Sequence, residues 1–233
     1  MLKVKNLNTG YGNVQVIFDF SCEVKPGEVV SMVGSNGSGK TTLLKTISGI
    51  VKPFSGEIEF MGERIDRLPA HKIVALGIAH VPEGRQVFGK LSVAENLMMG
   101  AFIVKDEAQK KRRLDEMFDL FPILAERSKQ AAETLSGGEQ QMLALARGLM
   151  SNPKLLMIDE LSLGLAPVLA ERVFEALDLI RDQVTILLVE QKVQEALEIA
   201  DRGYVIQNGR LVITGTGDEL LESDIVKQAY MGM

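Results

Sequence analysis

The sequence has 233 residues, 46% of them apolar and 24% charged, with a net charge of −5. That length suits one large domain, or one domain with a modest insertion, and the apolar share is enough for a sizeable core. The acidic balance gives no global argument for a nucleic-acid binder.

The chain opens Met1-Leu2-Lys3-Val4, without a signal-peptide pattern. No apolar run approaches the ~18 residues that span a bilayer, so any membrane role is expected through partner proteins. Residues 2–7 and 14–24 read as strands about a turn at Thr9-Gly10-Tyr11-Gly12. Cys22 lies in the alternating stretch 18–24 and is expected to be a structural thiol. As the single cysteine it excludes an internal disulfide and points to a reducing compartment. Lys25-Pro26-Gly27-Glu28 is a turn, with Pro-Gly suited to the central positions of type II.

The apolar run Val29, Val30, Met32, Val33 reads as a buried strand. It feeds Gly34-Ser35-Asn36-Gly37-Ser38-Gly39-Lys40-Thr41-Thr42, which fits G-x-x-x-x-G-K-[ST]. Leu43, Leu44 and Ile47 then follow at helical spacing, so the motif sits between a strand and a helix as a phosphate-binding loop requires. The glycines let several backbone N–H groups converge on one phosphate chain, and the helix start adds its positive end. Lys40 can reach β- and γ-phosphates, and the Thr41 hydroxyl can ligate magnesium. Upstream, Tyr11 could stack on an adenine base, although a lone Tyr in a turn is a weak signal.

Residues 57–60 alternate as a strand, residues 69–76 read as a short helix with Pro69 near its start, and residues 77–81 form another strand. That strand opens into Pro82-Glu83-Gly84-Arg85-Gln86-Val87-Phe88, where open α/β sheets place ligands. Ser92-Val93-Ala94-Glu95 fits a capping box. Leu114, Met117, Phe118 and Phe121 share a helical face, and the basic run Lys110-Lys111-Arg112-Arg113 reads as a solvated face. Residues 91–134 carry no strand signal and suggest a helical insertion into an α/β core.

Leu135-Ser136-Gly137-Gly138-Glu139 then leads into a helix, forming a second amide nest. In Lys154 to Glu160, the continuous apolar run 155–158 is what a strand buried on both faces needs, and it ends in Asp159-Glu160. In P-loop enzymes the acidic residue at that strand end holds Mg²⁺, which assigns Asp159, and Glu160 is then placed to polarise an attacking water. A loop at residues 162–167 enters a helix with Leu169, Val173, Leu177 and Ile180 on one face. A buried strand at residues 184–189 ends at Glu190-Gln191. A helix and the hairpin about Asn208-Gly209 come next, then two short helices. His71 and His80 are expected to be structural.

Taken in order, the phosphate loop, Leu-Ser-Gly-Gly-Glu, the Asp-Glu strand and the strand ending near Gln191 resemble the ATP-binding subunit of an ABC transporter across essentially the whole chain. Residues 81–88 and 91–97, Ser162 to Pro167, and Val189-Glu190-Gln191 resemble the branched-chain amino acid importers within that family. The resemblance implies a P-loop α/β core with an antiparallel β subdomain (1–90 and 135–233) and an inserted α-helical subdomain (91–134). It implies ATP and Mg²⁺ as ligands, with the loop from Gly34 to Thr42 and Tyr11 binding ATP, and Thr41, Asp159 and Glu83 about the metal. Glu160 would be the general base, assisted by Lys40 and Gln191, while Leu135, Ser136, Gly137, Gly138 and Glu139 would contact the ATP of a partner subunit. The implied partners are two permease subunits, a second ATPase subunit (identical or related) and, indirectly, a solute-binding protein, at the cytoplasmic face of the cell membrane; nucleic acid is not among them.

Three positions depart from the general pattern. Glu83 stands where Gln is usual, Gln191 where a switch His is usual, and Leu161 where Pro is usual. The first two fit the branched-chain subfamily, and Leu161 suggests an altered hydrolysis rate. Urea or amide importers, lipopolysaccharide exporters and soluble non-transport ABC ATPases remain alternatives at this point.

Overall fold

A computed structural model describes residues 1–228. The first strand, β1 (Leu2–Tyr11), pairs antiparallel with β2 (Val14–Val24). The turn between them falls at Gly12-Asn13, later than expected, because pairing persists to Tyr11 opposite Val14. Gly10 makes this possible: a Cβ there would lie 2.0 Å from the Val14 carbonyl oxygen. Tyr11 therefore ends a strand.

The strand β3 (Val29–Val33) is buried throughout and runs through the phosphate loop into helix α1 (Lys40–Ile47). After it come β4 (Ser55–Phe60), β5 (Glu63–Arg64), α2 (Ala70–Leu76) and β6 (Ile78–Val81). Pro69 is the N-cap of α2, so its missing N–H falls where no helical partner exists.

From β6 onward the chain is helical: α3 (Val93–Gly100), α4 (Glu107–Leu120), α5 (Pro122–Glu126) and a 3₁₀ turn at Ala132–Thr134. Its strand-like pairing among the described residues is a single bridge between Ser92 and Ala131. The Ser92–Glu95 capping box forms, with the Ser92 N–H donating to Glu95 Oε2 at 2.8 Å. The basic run on α4 is only partly a solvated face. Lys111 and Arg112 are exposed, but Lys110 pairs with Glu107, and Arg113 donates to the Leu149 carbonyl at 2.7 Å while pairing with Glu116.

Helix α6 (Gly137–Leu149) ends in that carbonyl and leads to β7 (Leu155–Asp159). The chain continues through α7 (Pro167–Ile180), β8 (Thr185–Glu190), α8 (Val193–Glu198), β9 (Arg202–Gln207), β10 (Arg210–Gly215), α9 (Gly217–Glu222) and α10 (Asp224–Val226). On α7 the buried face is Ala170, Val173, Phe174, Leu177 and Ile180; Leu169 is half-buried and covers Gly138.

Two sheets result. One is antiparallel, in the order β2-β1-β4-β5; the other runs β10-β9-β3-β8-β7-β6, parallel from β9 to β6 with β10 as an antiparallel edge. Alternate residues of the parallel strands serve two cores. Val30, Met32, Leu155, Met157, Leu187 and Val189 face α1 and the antiparallel sheet, whereas Val29, Val33, Leu156, Ile158, Ile186 and Leu188 face α6 and α7. This is why those strands read as unbroken apolar runs. Register brings the strand ends level: Val33 opposite Glu190, Asp159 opposite Val189, Val81 opposite Ile158. The segments after β3, β6, β7 and β8 therefore emerge along one edge.

The β9–β10 turn ties the two sheets together. The Gly209 N–H donates to the Ser38 carbonyl at 3.0 Å, and the Gly209 carbonyl accepts from the Phe18 N–H at 2.9 Å. Gly209 has φ +73°, and a Cβ there would lie 1.9 Å from the Val16 carbonyl oxygen.

Candidate functional site

The loop from Gly34 to Gly39 closes on itself through the Ser38 N–H, which donates to the Ser35 carbonyl at 3.1 Å. Gly37 and Gly39 take φ +78° and +105°. Gly34 has no room for a side chain, since a Cβ would lie 2.2 Å from the Ile206 carbonyl oxygen. Ser35, Asn36 and Gly37 form the exposed rim, while Ser38, Gly39, Lys40 and Thr42 are buried. The loop's amides and the α1 N-terminus face a cavity of about 280 Å³ lined by Val16, Gly37, Gly39, Lys40, Thr41, Thr42 and Glu160.

Inside it, the Lys40 Nζ lies 2.8 Å from the Gly34 carbonyl, 3.2 Å from that of Ser35 and 3.3 Å from Glu160 Oε1. Lys40 is only 3% exposed. Its ammonium is thus held between two neutral carbonyls and one carboxylate, where a phosphate would add further negative charge. Tyr11 stands half-exposed at the end of β1, and its hydroxyl is 3.5 Å from the Thr42 hydroxyl.

The carboxylates come from the end of β7. The Thr41 hydroxyl donates to Asp159 Oδ1 at 3.0 Å, while the buried Oδ2 has no partner. Burial pushes the Asp159 carboxyl up to about 6, and the negative charges of Glu160 and Glu83 add to the rise. Glu160 sits at φ +47° in the left-handed region, its N–H donating to the Val189 carbonyl at 2.8 Å. A non-glycine residue held there is backbone strain of the kind that functional sites store.

Unsatisfied oxygen, clustered negative charge and an adjacent hydroxyl are the donor set of a hard divalent cation such as Mg²⁺. Among the described residues no group of three or more His, Cys, Asp or Glu could hold a metal by itself. Mg²⁺ is commonly held by one or two carboxylates, with the rest left to hydroxyl, water and phosphate oxygens. Glu83 is exposed at the edge of the site and reaches Asp159 through its field; Gln191 is exposed just past β8.

The nest at Ser136–Gly138 lies elsewhere. Ser136 caps α6 in a full capping box, its N–H donating to Glu139 Oε2 at 2.8 Å, and Arg127 pairs with Glu139 at 2.9 Å. Leu135 and Gly138 are buried, Ser136 is exposed. None of residues 135–139 lines the Lys40 cavity. The chain therefore carries two anion-ready backbone sites that do not share a pocket.

Three residues beyond the motifs complete the site. Arg85, at φ +67°, brings its guanidinium within 3.0 Å of where a Gly137 Cβ would stand. Ser162 and Glu190 are both buried and bonded to each other behind Glu160. A glutamate closing an apolar strand was the available signal for Glu190; Arg85 and Ser162 gave none, because their positions depend on tertiary approach.

An ABC transporter family model matches residues 17–162. The high-affinity branched-chain amino acid transport ATP-binding protein BraG of Pseudomonas aeruginosa is 50% identical, covering all of both chains. The probable branched-chain amino acid transport ATP-binding protein LivF of Archaeoglobus fulgidus is 43% identical over all of this chain and 99% of its own. The lipopolysaccharide export system ATP-binding protein LptB of Escherichia coli is 34% identical over 99% of this chain and 97% of its own. Among solved structures, the ADP conformation of MJ1267, an ATP-binding cassette of an ABC transporter, superposes with TM-score 0.84 at 26% identity, covering 100% of this chain and 99% of the other.

Proposed function

This chain belongs to the ABC transporter family of ATP-binding subunits, and from that premise we propose that it is the ATP-hydrolysing subunit of an importer for branched-chain amino acids. The observation that carries the reading is the meeting of Lys40, Thr41, Asp159 and Glu160 at one sheet edge, in a chain that is 50% identical from end to end to BraG.

The residues divide the work as follows. The amides of residues 34–39 and Thr42 receive the phosphates, and the Lys40 ammonium leaves the Gly34 and Ser35 carbonyls to neutralise the β- and γ-groups. Tyr11 stacks on the adenine. Thr41, Asp159 and Glu83 hold Mg²⁺, which when bound supplies charge neutralisation on the transferring phosphate. Glu160 takes the proton of the attacking water, and Gln191 donates a hydrogen bond to the γ-phosphate, though it cannot itself take up a proton.

Because Leu135, Ser136, Gly137, Gly138 and Glu139 do not line this cavity, we assign them to the ATP of a second ATPase subunit packed head to tail, identical or related. The exposed Leu163 and Val168 beside the site give that partner an apolar footing. Permease subunits would sit on a groove of about 510 Å³ lined in part by Val81, Pro82, Phe88, Met99 and Phe102. Phe102 is 68% exposed there, more than an unpartnered surface favours. No helix among the described residues is long and apolar enough to cross a membrane, so attachment at the cytoplasmic face would come through those permeases. A solute-binding protein would act only indirectly.

Lipopolysaccharide export is the weaker reading, since LptB stands at 34% identity. The test is capture of the tagged chain from native membranes after mild solubilisation, with uptake assays on a deletion strain. Co-purification of two multi-pass proteins and loss of leucine, isoleucine and valine uptake are expected. Intact uptake of all three would reject the substrate, and recovery without any membrane protein would reject the transport role.

A further inference from the structure

Glu190 ends β8 at 1% exposure, and Ser162 is 2% exposed. Its two carboxylate oxygens are both occupied by one residue: Oε1 accepts from the Ser162 N–H at 2.9 Å, and Oε2 from the Ser162 hydroxyl at 3.0 Å. Among the described residues no Lys, Arg or His forms an ion pair with Glu190. Burial accordingly raises its carboxyl above the ordinary range, and the nearby charge of Glu160 works in the same direction.

A buried carboxylate without a cation is an expensive way to cap a turn, and a hydroxyl or amide would cost far less. What a carboxylate offers is two separate acceptor oxygens, one for each donor. Those donors hold the turn that begins at Glu160, where the Leu163 N–H donates to the Glu160 carbonyl at 3.3 Å and Glu160 itself is strained at φ +47°. On its other side Glu190 pairs with Val33, the residue before the phosphate loop.

We propose that Glu190 is a positioning residue for hydrolysis: through Ser162 it clamps the turn after β7 and so holds the Glu160 carboxylate at the phosphate loop. The proposal rests on Glu160 being the general base. It concerns the rate of the chemical step and leaves nucleotide binding untouched, because neither Glu190 nor Ser162 lines the Lys40 cavity.

The substitution Glu190→Leu keeps approximate size but removes both acceptors, leaving the Ser162 N–H and hydroxyl unpaired. With the purified full chain, kcat for ATP should fall about 10- to 100-fold, as expected when a reacting group is misplaced, with KM and fluorescent-nucleotide affinity within about twofold. Ser162→Ala, which keeps its N–H, should cost roughly 3- to 10-fold, and the double variant should be no slower than Glu190→Leu alone, because the pair acts as one unit. Amide exchange should accelerate at Ser162 and Leu163 while β7 and β8 stay protected. Unchanged kcat in Glu190→Leu would overturn the proposal. So would equal losses of kcat and affinity with exchange spreading through both strands, which marks a purely structural role. Turnover that survives Glu160→Gln would overturn the base assignment, and exchange at the Ser162 amide would then decide whether Glu190 holds the turn at all.

Discussion

Replacing Asp159 by Asn should stabilise the empty protein while destroying its use. In the folded chain the Asp159 carboxyl rises from 3.8 to about 6. At about 1.4 kcal/mol per pH unit, its ionisation costs the folded state about 3 kcal/mol as an upper figure. The sign follows from proton binding. Between about pH 4 and pH 6 the folded state holds a proton that the unfolded state has released, so stability falls as pH rises through that window and levels off above it. This is the reverse of an ion-paired aspartate. Asn keeps an oxygen for the Thr41 hydroxyl, and because Oδ2 has no partner the change removes no hydrogen bond. Allowing for relaxation and water entry, about half the upper figure should appear, which for a chain of this size is about 3–6 °C in Tm near pH 8. The assay is thermal melting of wild type and Asp159→Asn in metal-free, nucleotide-free buffer near pH 4.5 and pH 8, then with Mg²⁺ and ATP. The variant should gain at high pH only, and should lose the added stabilisation that Mg²⁺ with ATP gives wild type. A variant less stable than wild type near pH 8, or an identical pH dependence in both, would refute the reasoning.

His80 titrates in an overlapping window with the opposite sign. Burial first, and then the charge of Lys45, push it down from 6.5 to about 4, so its contribution is complete above about pH 6.5 and disappears as pH falls toward 4, about 3 kcal/mol in all. His80→Phe, which gives up no bond at Nε2, should remove that acid sensitivity in urea unfolding at pH 5. Gly34→Ala would place a Cβ 2.2 Å from the Ile206 carbonyl; a loss of about 3 kcal/mol and of nucleotide binding is expected. Gly12→Ala, in open space at φ +56°, should cost only about 1 kcal/mol and keep binding; calorimetry and nucleotide titration of the two variants check both. Phe102→Glu should leave melting and the ATPase rate of the isolated chain unchanged, yet reduce recovery of permease proteins in a pull-down from membranes.

The local chemistry of this chain was plain in its sequence because each motif carries its own physical context. The run Val29–Val33 announces a doubly buried strand, Gly34 to Thr42 a phosphate loop, and Ser92 and Ser136 with glutamate three residues on announce helix starts that form as read. Adjacent strand ends were foreseeable as a group, since parallel strands must all open at one edge. What stayed hidden depends on approach between distant segments. The turn after β1 moved because Gly10 admits the Val14 carbonyl, and Arg113 left the basic face of α4 for a helix end 36 residues away. Nothing local to Ser162 announces that its partner is Glu190.

The single residue Gly209 touches both the phosphate loop and the strand β2. It bonds to Ser38 in the loop for the phosphates and to Phe18 in the strand that turns toward Tyr11, with no space for even a methyl group. That wedge works as a keystone: the two abutments it spans share one geometry, and neither can tilt without dislodging it. If Tyr11 and the loop from Gly34 to Thr42 hold base and phosphates as proposed, the two grips are tied through this wedge, and the hinge of any stroke has to be sought where the chain lacks one.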